Sequence, residues 1–156
     1  MTIAAALLAC ATITGCSGKA SGDAALAVDD KTLLSVTILT AQGERTFRVE
    51  VARTTEAQAQ GLMYRTELPE DGGMLFPSET PEPRTFWMKN TVIPLDIIFI
   101  RADGRIARIA EETVPQSLEP VPSLEPVTAV LEIAGGKSAA LGIAAGDRVV
   151  WKDAAE

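Results

Sequence analysis

Several short runs of this chain alternate polar and apolar residues with a period of two, the pattern of strands that bury one face. Leu34 to Thr40 places Val36 and Ile38 on a common face. Thr46 to Val51 sets Phe47, Val49 and Val51 against Thr46, Arg48 and Glu50. Ala41-Gln42-Gly43-Glu44 between them reads as the turn of a β-hairpin, with Gly43 able to take positive φ. Thr54 or Thr55 can then cap a short helix running from Glu56 to about Met63. Glu56 suits its first turn because the helix dipole favours negative charge there, and Gly61 weakens its last turn.

Further strands are predicted at Met74-Leu75-Phe76, stopped by Pro77, and at Phe86 to Lys89, broken by Asn90-Thr91. Others follow at Leu95 to Ile100, Ile106 to Ala110, Ala129 to Ala134 and Arg148 to Trp151. Pro81 and Pro83 predict an extended, irregular stretch. Val114 to Val127 holds Pro115, Pro120, Pro122 and Pro126 and contains Ser-Leu-Glu-Pro-Val twice, which predicts a polyproline-like loop. Gly135-Gly136 opens a second short helix through Lys137 to Leu141. Many short strands, Gly and Pro turns and brief helices predict a mostly β chain. The expected fold is a compact jelly-roll-like β-sandwich or barrel with one or two short helices.

The first residues follow another pattern. Ile3 to Ile13 is an apolar and small-residue run of signal-peptide length, too short to span a bilayer as a mature helix. It ends in Ile13-Thr14-Gly15-Cys16, which resembles a bacterial lipobox and implies cleavage before Cys16 and lipidation of its sulfur. Lipid chains would then make the membrane a partner, each buried CH₂ contributing about 0.8 kcal/mol. Residues 17–30 are rich in Gly, Ala, Ser and Asp and read as a tether. The expected organisation is a signal peptide over 1–15, a lipidated flexible tether over 16–31 and one domain over 32–153. The expected location is the bacterial cell envelope, exported and facing the periplasm.

Composition narrows the chemistry. Net charge is −7 and no basic run occurs, so nucleic acid is not an expected partner. The chain has no histidine, which excludes Ser-His-Asp and Cys-His catalysis and His-containing zinc sites. Its two cysteines, Cys10 and Cys16, both lie in the leader region, leaving the body without a disulfide or a thiolate nucleophile.

Four stretches of the body together resemble the bacterial and archaeal family called domain of unknown function 192. They are Val49-Glu50-Val51-Ala52 leading into Gly61-Leu62-Met63-Tyr64-Arg65; Gly73-Met74-Leu75-Phe76; and Phe86-Trp87-Met88-Lys89-Asn90-Thr91 followed by Ile93-Pro94-Leu95-Asp96-Ile97-Ile98-Phe99. The fourth is Val130-Leu131-Glu132 with Gly135, then Gly142-Ile143 and Gly146-Asp147. The resemblance runs over roughly residues 33 to 152 and implies a jelly-roll-like β-sandwich behind an export signal. It assigns no function.

Two acids interrupt strongly apolar strands: Asp96 in Leu95-Asp96-Ile97-Ile98 and Glu132 in Val130-Leu131-Glu132-Ile133. A buried carboxylate needs a partner or stays protonated. The expected partners are Arg65, Lys89, Asn90 and Thr91, gathered into one polar cluster with both acids. Strand alternation over Phe86 to Lys89 sets Trp87 and Lys89 on one face, an aromatic wall beside charges that suits a small polar ligand or a glycan. The candidate ligand-binding set is thus Arg65, Trp87, Lys89, Asn90, Thr91, Asp96 and Glu132, with no catalytic residue, cofactor or metal assigned. The bland alternative is a buried ion-pair network that only fixes strand register. Two sharper alternatives remain. Asp96 and Glu132 could serve as the two carboxylates of a hydrolase acting on envelope glycans, which requires them about 5 to 10 Å apart across a cleft. Met63, Met74 and Met88 could hold Cu(I) beside Trp87 if their sulfurs converge, although Met in apolar strands is more often core filler.

Overall fold

The computed structural model describes residues 33–152. The expected signal peptide, the tether and Cys16 lie outside the described residues. The chain runs β1 (Leu34–Thr40), β2 (Gly43–Val51), α1 (Thr55–Gln60), β3 (Gly72–Phe86), β4 (Leu95–Ile100), β5 (Ile106–Thr113), β6 (Val121–Ala134), α2 (Lys137–Leu141) and β7 (Arg148–Trp151). Mostly β structure with two short helices is the fold class expected from the alternation of polar and apolar residues.

The strands form one seven-stranded curled sheet in the order β5-β4-β6-β3-β2-β1-β7. Its two edge strands approach one another. Ile106 N–H donates to Asp147 O at 2.9 Å, and Val149 N–H donates to Gly104 O at 2.7 Å. Arg105 and Arg148 face each other across the same seam. Joining edges in this way hides backbone groups that would otherwise invite pairing with another chain.

The β1–β2 hairpin forms with Val36 opposite Phe47, which stacks the predicted apolar faces. Thr54 caps α1, its hydroxyl accepting from Ala57 N–H at 3.1 Å. The segment holding α1 returns the chain so that β3 lies parallel to β2, from Arg48↔Gly72 to Val51↔Leu75. The other strand pairs are antiparallel.

Two expectations are corrected. β3 does not stop at Pro77 but continues to Phe86, paired with β6. Likewise the proline-rich segment is not loop to Val127, because β6 starts at Val121. Register shifts fall between Pro77 and Glu82 and between Pro83 and Thr85. Proline lacks a backbone N–H, and a bulge is where a strand can dispense with one. Ser123 helps hold the irregular pairing together: its hydroxyl accepts from Arg84 N–H at 3.0 Å and donates to Glu125 O at 2.6 Å.

The apolar residues separate onto the two faces of the sheet. One cluster draws on all seven strands and includes Val36, Phe47, Leu75, Ile98, Ile106, Leu131, Ile133 and Val149. The other lies mainly on the opposite face of β3, β4 and β6, with Met74, Phe76, Ile97, Phe99 and Val130, and is covered by Leu62, Met88 and Ala57. This second face carries the cavity described next.

Candidate functional site

The two acids take opposite faces because of cross-strand register. β4 pairs with β6 so that Asp96 faces Ile133 and Ile97 faces Glu132. Glu132 therefore shares the face of Val130 and Ile97, whereas Asp96 shares that of Ile98 and Ile133. The single polar cluster and the two-carboxylate cleft are not formed.

Asp96 is fully buried and its partners are backbone amides, not the expected cations. Oδ1 accepts from Glu112 N–H at 2.8 Å and Gly136 N–H at 2.9 Å, and Oδ2 accepts from Ser138 N–H at 2.7 Å. Two of these donors belong to the start of α2, where helix N–H groups have no partner within the helix. Asp96 thus ties α2 to β4.

Glu132 is 5% exposed, and no hydrogen bond or ion pair joins its carboxyl to another of the described residues. Burial alone pushes its pKa up from 4.5 to about 8. The side chain is consequently a neutral carboxylic acid at pH 7. It lines a cavity of about 340 Å³, at the small end of the range for ligand sites.

α1 and the turn after it supply one wall of this cavity, residues 58–63. β3 supplies Phe76 and residues 84–86, and the chain after β3 adds Trp87 and Thr91. Gly61 has φ 50°, and its bare Cα lies over the interior. A Cβ there would sit 3.4 Å from Phe76 Cζ and 4.0 Å from Glu132 Oε2. Phe76 and Phe86 meet edge to face with ring centres 5.1 Å apart. Arg84 places its guanidinium 5.6 Å from the Phe86 ring centre. It donates to Gln58 Oε1 at 3.1 Å and also bonds the Ser78 hydroxyl. Gln58 is fixed in turn by donating to Ala52 O and Pro77 O, each at 3.1 Å.

Trp87 is 49% exposed. It is not in a strand as expected, because β3 ends at Phe86. Lys89 nevertheless reaches it, with Nζ 5.1 Å from the ring centre. The segment after β3 is held by Met88 N–H donating to Ser117 O and Gln116 N–H donating to Thr91 O. Asn90 takes φ 55°. Its amide donates to the Tyr64 hydroxyl at 2.8 Å, while Tyr64 N–H donates to Asn90 O at 2.9 Å. Of the seven expected site residues, Trp87, Thr91 and Glu132 line the cavity together. Lys89 and Asn90 adjoin it through Trp87 and Met63. Arg65 is engaged elsewhere, in a two-pronged pair with Glu50 of β2 at 2.5 and 2.8 Å.

The methionines are divided. Met74 and Met88 are buried in the second core cluster, and Met88 Sδ accepts from the Thr113 hydroxyl at 3.1 Å. Met63 lines the cavity, with Asn90 Nδ2 3.8 Å from its sulfur. Sequence reasoning missed Gln58, Phe76 and Arg84 as cavity residues. Only Gly61 left a signal, as a glycine where the helix pattern wanted another residue.

The family model of domain of unknown function 192, described as Uncharacterized ACR, matches residues 37–151. A crystal structure of a protein of unknown function from Novosphingobium aromaticivorans is similar at 50% identity and a TM-score of 0.75, over 76% of this chain and 85% of that one. A crystal structure from Sinorhizobium meliloti, of a protein described as a candidate transcription regulator, is similar at 42% identity and a TM-score of 0.74, over 76% of this chain and 93% of that one. A search of curated proteins gives no match.

Proposed function

The chain belongs to the domain of unknown function 192 family, and we propose that its domain is a binding module of the bacterial cell envelope, taking a small polar ligand into the cavity over Glu132. In this reading a lipid on Cys16 holds the module at the membrane, facing the periplasm. The observation that carries the binding role is a carboxyl without a partner among the described residues, in a cavity with a half-exposed Trp at its edge. A buried polar group without a partner is costly, and an incoming ligand can supply the missing hydrogen bond. A regulator that grips DNA fits less well, because a net charge of −7 opposes a phosphate backbone.

The test uses Trp87 as reporter. The chain has two tryptophans, so Trp151→Phe isolates the signal. Titration with glycans and peptidoglycan fragments is expected to shift or quench Trp87 emission, and Glu132→Gln is expected to weaken that response. If neither glycans, peptidoglycan fragments nor the small molecules named below change Trp87 emission, and those small molecules show no calorimetric binding, the binding role fails.

A further inference from the structure

Resting on that binding role, we infer that the ligand carries a primary ammonium group, which enters between Gly61 and Trp87 and pairs with the Glu132 carboxyl. The cavity contains one acid, Glu132, and it has no partner among the described residues. Among the described residues the lining holds one cation, Arg84, already engaged by Gln58, Ser78 and Glu82 and resting against Phe86, and Lys89 stands at the edge over Trp87. No ion pair joins Arg84 to Glu132, so the acid remains available to a cation from outside.

The walls show the same preference. Phe86 already carries the Arg84 guanidinium and Trp87 the Lys89 ammonium, and Phe76, beneath Gly61, is the aromatic wall next to the Glu132 carboxyl. Met63 also lines the cavity and brings a polarizable, uncharged thioether. A net charge of −7 draws cations towards the protein in general.

Energetics separate an amine from a neutral hydroxyl ligand. A hydroxyl meeting the neutral acid gains an ordinary hydrogen bond. An ammonium gains a charge-assisted bond in a poorly hydrated site, a stronger interaction. The amine must first drive off the Glu132 proton. With a pKa of about 8, that requirement weakens binding only about tenfold at pH 7. The proton goes to buffer, the ammonium keeps its own, and charge balances as carboxylate against ammonium.

Full-length protein is titrated by calorimetry with two matched pairs: cadaverine against 1,5-pentanediol, and 2-phenylethylamine against 2-phenylethanol. Each titration is repeated in buffers of different ionisation enthalpy, which counts protons exchanged. At pH 7 an amine is expected to bind with release of close to one proton, its affinity rising about tenfold per pH unit up to pH 8 and then levelling. Neither alcohol releases a proton. Glu132→Gln is expected to lose the proton release and at least tenfold in amine affinity. The wild-type proton count needs no variant and stands even if that substitution misfolds. Alcohols binding as well as their amines, without proton exchange, would overturn the ammonium assignment and leave the binding role intact. Glycans that move Trp87 while neither amine binds would do the same. Silence of Trp87 to every compound, together with no calorimetric binding of either amine, sinks both.

Discussion

Replacing Glu132 by Gln removes the titration while keeping nearly the same shape, and its effect on stability follows from burial. Unfolded, the carboxyl titrates near 4.5; folded, it titrates at about 8. Between these values the folded protein binds more protons than the unfolded chain, so raising the pH favours unfolding. The group's contribution is fully present below pH 4.5, falls across the window and is lost above about pH 8. Each pH unit is worth 1.36 kcal/mol, so the 2.5 units from 4.5 to 7 amount to about 3 kcal/mol, and the full 3.5-unit window to about 5 kcal/mol. Gln has no such window. Wild type and Glu132→Gln are therefore expected to differ by no more than about 1 kcal/mol at pH 5. The variant then gains about 3 kcal/mol relative to wild type by pH 7–7.5. Urea denaturation of both proteins at unit steps from pH 5 to 9 measures the difference, and every other titrating group cancels. Parallel stability curves over that range would refute the reasoning, since they would mean the carboxyl is hydrated or paired.

Asp96→Ala strips the acceptor from three backbone N–H groups and is expected to cost about 3–5 kcal/mol. Asp96→Asn, which keeps one acceptor oxygen, should cost less; equal denaturant midpoints for wild type and Asp96→Ala would show that α2 does not depend on this residue. Cys16→Ser is expected to move the protein from the membrane fraction to the soluble fraction, and unchanged fractionation would dismiss lipidation at that sulfur.

Local pattern makes the hairpin, the α1 cap, β4, α2 and β7 readable from the sequence. Each depends on residues near one another in sequence: a two-residue connection at Ala41 and Gln42, a Thr54 hydroxyl three residues before its donor, a run of apolar residues. The long pairing of β3 with β6 was not readable in this way. Pro77, Pro81, Pro83, Pro122 and Pro126 argue locally against strand, and only the bulged register with the Ser123 bridge accommodates them. The site shows the same division. Asp96 and Glu132 stood out as acids in oily strands, yet their fates depend on β4 lying beside β6, although β5 separates the two in sequence. One residue of slip in that register would send the acids to the other faces.

The two acids also answer the question of what the fold requires. Asp96 supplies acceptors that α2 and β5 lack, so the fold cannot do without an oxygen there. The Glu132 side chain supplies nothing to the described backbone, and its raised pKa is expected to lower stability at neutral pH by about 3 kcal/mol. That is a substantial part of the roughly 5–15 kcal/mol that holds a domain folded. Among Val130, Ile97 and Phe76, an apolar side chain at position 132 would pack without that loss. Packing therefore does not account for Glu132. The space above it is held open by Gly61, whose φ of 50° resists a side chain and whose missing Cβ leaves room beside Phe76 and the carboxyl. An acid that weakens the sheet, beneath a backbone turn that keeps a cavity over it, makes sense when something from outside completes the pair.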